Sequence, residues 1–457
     1  MDFSSANTTL WNPMIQIGII AGTILLANLL CRKIPFFRKT LMPTAVLGGF
    51  LLLILRTTGI LAVDTAFLEM LTYHALALGF IAMSLRIPTK DNSSGAMIGS
   101  KSGALIVSTY LVQAVAGLAI SLFLAYTFMP DLFKASGILL PMAYGQGPGQ
   151  ANNVGTTYQA LGMAGGRSFG LSLAASGYLC ACIVGVVYLN IYEKKGFIQR
   201  AASKSDVSGS VTIDTFQDQN EIPISESVDK LSVQFALVAL VYLLTYLVTL
   251  GITKLLETVA PGLASTVSTL LWGFNFIVGS AIAIGCRALL KGLKVTKIMT
   301  RQYQNNYLLS RISGLAFDLM ILAGIASINI EDLTGYWVPF ILMALAGGIL
   351  TFVFLRYMCH KMYPEYEYES FFSMYGMLTG TISSGILLLR EIDPSFESPA
   401  ANNLITGSSF GIIFGAPLLV LVSLAADSTL MTFIVLILAS VYLAALLFYI
   451  FRIGKKQ

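Results

Sequence analysis

Charged side chains are scarce in this sequence. Lys, Arg, Asp and Glu make up 11% of its 457 residues, less than half of the roughly 25% that is usual in soluble domains. The chain has 2 histidines and contains no HExxH or GxxxxGK pattern, so nothing indicates a zinc hydrolase or a P-loop ATPase. We therefore predict that the protein is not an enzyme, has no cofactor and, with a net charge of only +5, does not bind nucleic acid.

Cysteine is also rare. The 5 cysteines do not make a disulfide framework, and Cys180 and Cys182 would point about 200° apart on a helix, which prevents them from sharing a metal ion. We expect all of them to be small packing residues.

Long apolar runs, by contrast, are abundant. Hydrophobic residues make up 56% of the chain, and runs long enough to cross a bilayer recur along its whole length. They predict spanning helices at 13–31, 41–61, 66–87, 103–129, 167–191, 233–256, 265–289, 308–328, 337–357, 403–426 and 430–452. Because no basic segment precedes the first run, we expect it to remain in the membrane and not to be cleaved as a signal peptide. The predicted fold class is an all-α polytopic membrane protein.

The chain divides into two similar halves. The predicted domains are an N-terminal membrane repeat at 1–192, a polar cytoplasmic linker at 193–231, a C-terminal membrane repeat at 232–428, and one extra transmembrane helix with a cytoplasmic tail at 429–457. The linker is too short and too polar to build its own core. Each repeat contains about five transmembrane helices and one glycine-rich segment, at 136–165 or 371–390, which we predict to be a re-entrant hairpin.

Loop charges predict the orientation of these repeats. Lys and Arg concentrate in alternate loops, and the positive-inside rule then places the N-terminus outside and both the linker and the C-terminus inside. The two repeats consequently have opposite orientations, with the first hairpin entering from outside and the second from inside. Inverted-topology repeats of this kind form a binding site where their broken segments meet near the bilayer midplane.

The first hairpin has a glycine-rich centre that cannot form a regular helix. It reads Tyr144-Gly145-Gln146-Gly147-Pro148-Gly149-Gln150-Ala151-Asn152-Asn153, in which glycine permits positive φ and proline removes an N–H donor. The backbone groups of Gly145, Gly147 and Gly149 are then available as ligands, and so are side-chain amides and hydroxyls, with Thr156 predicted to bind the ion. These side chains are Gln146, Gln150, Asn152, Asn153, Thr156 and Thr157. A helix that starts after the turn would present its N-terminus to an anion. The alternative is an ordinary surface loop.

The second hairpin is centred on Tyr375-Gly376-Met377-Leu378-Thr379-Gly380-Thr381 and is rich in hydroxyl groups. Thr379, Thr381, Ser383 and Ser384 supply the oxygen ligands that a hard cation such as Na⁺ takes. The alternative is that these small residues serve helix packing.

Other polar residues stand out within apolar runs. Asp318 lies alone in a predicted span, where a charge costs roughly 2.5–3.5 kcal/mol, and is interpreted as a cation ligand or proton carrier, or as half of a structural pair. Arg167 and Arg390 flank the hairpins and either hold a carboxylate or extend to the interface. Gln113 and Asn275 are expected to bridge helices.

Small residues repeat every four positions after each hairpin. Gly162, Gly166 and Gly170 form one such stripe, and Gly407 and Gly411 belong to the other. We interpret both stripes as packing surfaces that let helix backbones approach closely.

Gly137-Ile138-Leu139-Leu140-Pro141 followed by Gly145-Gln146-Gly147-Pro148-Gly149-Gln150-Ala151 resembles the bacterial sodium/glutamate symporter family. The resemblance extends to the plan of the whole chain, with its two inverted halves and central linker. It implies uptake of glutamate driven by Na⁺ across the bacterial cytoplasmic membrane by a homodimer with an elevator-like moving domain. It also implies that Gln146, Pro148, Asn152, Asn153, Thr379 and Thr381 lie at the substrate or ion sites.

The leading hypothesis is a secondary transporter that imports glutamate or a related acidic amino acid by symport with Na⁺. The expected partners are therefore the anionic amino acid, the coupling Na⁺ and the lipid bilayer. Two alternatives keep the architecture and change the activity: a carrier for another small organic anion coupled to Na⁺ or H⁺, and a channel with two pore loops. A membrane-embedded enzyme or sensor is a third, although no constellation of catalytic residues supports an enzyme.

Overall fold

The computed structural model describes residues 3–4, 7–87, 93–198, 230–259, 268, 271–273, 275–299, 301–393 and 398–452. Most of the linker predicted at 193–231, the first part of the span predicted at 265–289 and the end of the C-terminal tail lie outside the described residues.

Helices account for nearly all of the described structure. In chain order they are α1 (Thr8–Lys33), α2 (Pro35–Lys39), α3 (Thr44–Thr57), α4 (Thr65–Leu85), α5 (Ser93–Thr127), α6 (Pro148–Ala160), α7 (Gly166–Leu179), α8 (Gly185–Lys194), α9 (Lys230–Val259), α10 (Asn275–Val295), α11 (Asn306–Ala326), α12 (Trp337–Met362), α13 (Glu367–Thr379), α14 (Ile382–Arg390), α15 (Ala400–Ala425) and α16 (Thr429–Arg452). Short 3₁₀ turns lie at Lys134–Ile138, Ile330–Leu333 and Pro364–Tyr366, and π turns lie at Pro141–Gly145 and Cys180–Val184.

Ten helical segments in the described residues are long and apolar enough to cross a membrane, as expected for an all-α multi-pass membrane protein. One of them, Gly166–Lys194, comprises α7, the π turn and α8. The span predicted at 41–61 is the exception. There the structure has α3, which is 14 residues long and therefore about 21 Å in length, short of the roughly 30 Å hydrocarbon core. Pro43 lies just before α3, and a turn follows it in which Gly59 has φ +74°. These two breaks limit the length of the helix.

The chain forms two compact units. The first comprises Met1–Glu69, Asp91–Ser203 and Ile321–Gln457, and the second comprises Met70–Lys90 and Lys204–Met320. Both glycine-rich hairpin segments lie in the first unit, and each unit takes residues from both halves of the sequence.

In the first unit, α5 is a central helix. In its most apolar stretch of 18 residues, 67% of the residues are buried inside the protein, compared with 22% in the corresponding stretches of α1 and α16. Glycines allow neighbouring backbones to approach it closely. A methyl group on Gly103 would lie 2.9 Å from the carbonyl oxygen of Gly407 in α15, and one on Gly117 would lie 2.1 Å from the carbonyl oxygen of Gly137. The chain segment that carries the first glycine-rich centre is thus packed directly on α5.

The glycine stripes are packing surfaces, as predicted, with one correction. Gly166 and Gly170 pack against the backbone of α6, and Gly407 and Gly411 pack against α5. Gly162 belongs to a different feature. It has φ +105°, and a methyl group there would have no neighbour within 4 Å, so it forms a turn between α6 and α7.

The second unit has its own core. Ile81, Val238, Ala283 and Leu309 belong to one buried cluster that joins α4, α9, α10 and α11. Polar contacts tie the same helices together. His74 Nδ1 lies 2.5 Å from the hydroxyl oxygen of Tyr242, and Asn275 donates to that hydroxyl at 3.3 Å, which confirms that Asn275 bridges helices.

The cysteines show no covalent pairing. All 5, each in the described residues, are free thiols, and Cys182 and Cys359 are buried. Cys180 and Cys182 lie in the π turn Cys180–Val184, and not on the regular helix on which the sequence argument placed them. Their role as packing residues agrees with the prediction.

Candidate functional site

The first glycine-rich centre breaks a helix. Helical turns from residue 134 end at Gly145, and α6 starts again at Pro148. Between them Gly147 has φ +87° and ψ −176°, a conformation that is essentially restricted to glycine. Proline suits the first helical position because the N–H that it lacks would have no helical partner there. The sequence Gly-Gln-Gly-Pro-Gly therefore encodes a sharp break followed by a new helix.

The chain doubles back at this break. Phe133 and Tyr158, on opposite sides of Gly147 in sequence, have ring centroids 5.3 Å apart. We name residues 134–160 the first hairpin and Gly145–Gly149 the first tip.

The second glycine-rich centre forms a similar helical hairpin. Helix α13 ends at Thr379, Gly380 has φ −138° and ψ −104°, and α14 begins at Ile382. The two helices are in close contact, because a methyl group on Gly376 would lie 2.8 Å from the Cα atom of Gly385. We name Glu367–Arg390 the second hairpin and Thr379–Thr381 the second tip.

The two tips meet inside the first unit. A methyl group placed on Gly147 would lie 3.8 Å from the carbonyl oxygen of Gly380 and 3.9 Å from Cγ2 of Thr381. One placed on Gly177 of α7 would lie 2.4 Å from the carbonyl oxygen of Thr379. Two segments that are more than 200 residues apart in sequence are thereby brought within contact distance.

Within three residues of the tips, four side-chain oxygens of the hairpins are buried and have no hydrogen-bond partner among the described residues. They are Oε1 of Gln150, Oδ1 of Asn152, Oγ1 of Thr381 and Oγ of Ser384. Gln150 and Asn152 lie in the first two turns of α6, and Thr381 and Ser384 lie at the start of α14. A buried oxygen without a partner costs about 1–3 kcal/mol. Such a group of neutral oxygens fits the ligands of a hard monovalent cation.

Helix ends give the site a second electrostatic feature. Helix α6 starts at the first tip and α14 starts at the second, so both N-termini lie where the tips meet. Thr381 occupies the N-cap position of α14, but its side chain does not cap the helix. Unpaired N–H groups at such N-termini favour an anion such as a carboxylate.

The base of the second hairpin is fixed by an ion-pair network. Glu367, the first residue of α13, pairs with Arg356 of α12 at 3.2 Å and with His360. Burial acts to raise the pKa of Glu367, but hydrogen bonds from His360 and Arg356 outweigh it and hold this pKa below its ordinary value. Arg356 also donates to the hydroxyl of Tyr192 at 3.0 Å. The second hairpin is therefore fixed at its base, at the opposite end of α13 from its tip.

Arg167, which follows the first hairpin, is 9% exposed and forms an ion pair with Glu69 of α4. It therefore does not extend to the interface. Next to it, Ser168 donates to Asp332 at 2.7 Å. The ion pair gives Arg167 a structural partner, and the hydrogen bond of Ser168 fixes the neighbouring residue, both at the start of α7.

The structure brings most of the predicted site residues to the tips. Those located there or in the adjoining helical turns are Gly145, Gln146, Gly147, Pro148, Gly149, Asn152, Asn153, Thr379, Thr381 and Ser384. Gln146 is only partly buried, whereas Asn152 and Asn153 are each 5% exposed. Thr379 donates its hydroxyl to the carbonyl oxygen of Tyr375 at 2.7 Å, within its own helix.

Two predicted ion ligands lie in other parts of the structure, and the side chain of a third is not described. Thr156 is exposed and follows Gly155, where a methyl group would lie 2.7 Å from the Cα atom of Arg167, so it belongs to the far end of α6. Asp318 lies on α11 in the second unit. Its side chain is exposed and shows no hydrogen bond to the described residues. The side chain of Ser383 lies outside the described residues.

One residue at the tips was not among the predicted ligands. Gln113 of α5 is fully buried and donates to Thr351 of α12 at 2.8 Å and to the carbonyl oxygen of Leu378 at 3.0 Å. These contacts confirm that Gln113 bridges helices. The signal in the sequence was an amide within a long apolar run, but only the fold shows which segments it joins.

No protein-family model matches this chain, and no curated protein shows significant similarity to it.

Proposed function

We propose that the protein is a secondary active transporter that imports glutamate, or a related acidic amino acid, by symport with Na⁺. The observation that carries this proposal is the meeting of two helical hairpins at their glycine-rich tips, with unpaired buried oxygens from both. Such broken helices are a frequent feature of transporter binding sites. The resemblance of residues 137–151 to the sodium/glutamate symporters suggests the substrate class.

The tips offer groups for both a cation and an anion. Thr381 and Ser384 present hydroxyl oxygens that suit Na⁺. The N-termini of α6 and α14 present backbone N–H groups that suit the carboxylates of an acidic amino acid. In this proposal the two ligands occupy the tips together, which would make the binding of one depend on the other.

The arrangement of elements supports inverted-topology repeats. Each hairpin lies between two segments that are long enough to span a membrane: α5 and Gly166–Lys194 (α7, the π turn and α8) enclose the first hairpin, and α12 and α15 enclose the second. In the proposal both hairpins are re-entrant and enter from opposite sides of the membrane, with the N-terminus outside and the C-terminus inside the cell. This orientation needs an odd number of crossings, so in the proposal the short helix α3 also crosses, through a locally thinner part of the bilayer, beside the ten long helices. Tip-to-tip contact between Gly147 and Gly380 is what such an arrangement requires.

Burial of the tips favours a carrier over a channel. Gly147 and Thr379 are buried, whereas a channel needs a continuous wet path along its selectivity filter. In the proposed cycle one bundle of helices moves and exposes the tips to each side in turn. Asp318 stays a predicted cation ligand or proton carrier of the same cycle.

Uptake by purified protein in proteoliposomes tests the proposal. We expect saturable accumulation of labelled glutamate that depends on an inward Na⁺ gradient. Thr381→Val removes the unpaired hydroxyl with little change in shape and should raise the half-saturating Na⁺ concentration about tenfold, the loss expected for one contact to a charged group. Uptake without Na⁺ dependence would contradict the symport, and non-saturating flux with unitary currents would identify a channel.

Thr23→Val is the matched control. Thr23 is a buried threonine of α1 in the same unit, and its hydroxyl donates to the carbonyl oxygen of Ile19 at 2.8 Å. The substitution makes the same chemical change away from the tips, so the Na⁺ dependence should match that of the wild type.

A further inference from the structure

Gln113 contacts the second hairpin next to its tip and lies beside the first tip. It is located on α5, fully buried, and its amide nitrogen donates to Thr351 and to the carbonyl oxygen of Leu378. Leu378 is next to the last residue of α13, where carbonyl groups lack partners within the helix. One function of Gln113 is therefore to cap the first helix of the second hairpin.

The contact with Leu378 determines which way the amide group faces. A carbonyl oxygen can only accept a hydrogen bond, so the NH₂ group of Gln113 must face it and Oε1 must face elsewhere. Oε1 lies beside the first tip: a methyl group placed on Gly145 would lie 3.0 Å from it. This oxygen is buried and has no hydrogen-bond partner among the described residues.

The surroundings of Oε1 favour a positive ligand. The first part of the first hairpin ends its helical turns at Gly145, and α13 ends at Thr379. Both ends carry the partial negative charge of terminal carbonyl groups. An amide oxygen between two such ends suits a cation, whereas the N-termini of α6 and α14 suit the anion.

We propose that Oε1 of Gln113 is a direct ligand of the coupling Na⁺ ion. This inference rests on the proposed function and adds a ligand from α5 to those of the hairpins. Because the same amide group holds Leu378 and lies beside Gly145, Na⁺ on Oε1 would link the two tips. A set of neutral oxygens suits Na⁺ better than a divalent cation, which generally takes carboxylate ligands.

Na⁺-dependent thermal unfolding of the purified full-length protein in detergent tests this role. NaCl replaces choline chloride at constant ionic strength, and the midpoint is followed as a function of Na⁺ concentration. We expect the midpoint of the wild type to rise with Na⁺. Gln113→Met removes both amide atoms at similar side-chain length and should raise the half-saturating Na⁺ concentration about tenfold.

Two further variants separate ligation from structural support. Thr351→Val removes a partner of the amide nitrogen but leaves Oε1, and its half-saturating Na⁺ concentration should stay within about twofold of the wild type. Gln113→Glu keeps an oxygen and loses the donors to Leu378, so it should bind Na⁺ more tightly than Gln113→Met. If Gln113 only supported the helix end, the glutamate variant would bind Na⁺ no better than the methionine variant.

The outcomes also distinguish this inference from the proposed function. A wild-type midpoint that does not respond to Na⁺, together with uptake that needs no Na⁺ gradient, would remove the symport itself. A responsive wild type beside a Gln113→Met variant with unchanged Na⁺ affinity would overturn only the role of Gln113.

Discussion

Gly147→Ala is the substitution that most directly probes the tip geometry. Gly147 has φ +87° and ψ −176°, which places it in a region of backbone conformations that is essentially restricted to glycine. Space is not the obstacle, because the nearest atoms to an added methyl group would be 3.8 Å away. The cost of the substitution is therefore conformational, of the order of 1–3 kcal/mol.

This strain should lower the population of the tip conformation that binds ligands. If the first tip relaxes to a conformation that alanine accepts, about 1–3 kcal/mol lowers the population of the competent conformation by about 5- to 150-fold. The apparent affinity for a ligand falls by the same factor when the competent state is a minor one. We therefore expect the half-saturating concentrations of both Na⁺ and substrate to rise together.

The assay is initial-rate uptake in proteoliposomes as a function of Na⁺ and of labelled glutamate. Gly162→Ala is the matched control, because Gly162 has φ +105° with nothing within 4 Å of an added methyl group and lies in the turn after α6. It carries a similar backbone strain away from the tips and should leave both half-saturating concentrations unchanged. Wild-type kinetics for Gly147→Ala, in protein whose folding is intact, would refute the argument from tip geometry.

Three further substitutions test contacts that hold the site in place. Gly117→Ala should destabilise the protein in thermal unfolding by about 1–3 kcal/mol or more, because its methyl group would lie 2.1 Å from a backbone atom. The control is Gly251→Ala, where an added methyl group has nothing within 4 Å. It should be neutral or stabilising by up to about 1 kcal/mol. Arg167→Met should destabilise the protein by about 1–3 kcal/mol. This is less than the cost of breaking a fully buried ion pair, because the side chain of Glu69 is 37% exposed. Adding Glu69→Gln should recover part of the lost stability. The depressed pKa of Glu367 means that its stabilising contribution is present above the ordinary carboxyl pKa and is lost as the pH falls below about 4. Glu367→Gln should therefore reduce the fall in unfolding temperature between about pH 5 and about pH 2.5.

Local signals in the sequence predicted the fold class. An apolar run of about 20 residues must form a helix in a bilayer, because no water is available to satisfy its backbone groups. Ten helices of the described structure meet this condition. The run at 41–61 shows where the argument fails: hydropathy counts apolar residues, but Pro43 and the turn at Gly59 limit α3 to 14 residues.

Glycine and proline likewise predicted the break in the first hairpin. The conformation of Gly147 and the helix start at Pro148 follow from the intrinsic preferences of these residues. The same local chemistry could not show what the break touches, because contacts between distant segments depend on the whole packing arrangement.

Tertiary structure alone decided the composition of the site. It placed the first tip against the second, positioned Gln113 between Leu378 and Gly145, and paired Arg167 with Glu69. It also left Thr156 exposed at the far end of α6, although the sequence pattern alone does not distinguish its hydroxyl from the others. Backbone breaks and membrane spans are properties of short segments and can be predicted from them. Which polar groups come together, and which oxygens are left without partners, depends on helix packing over hundreds of residues.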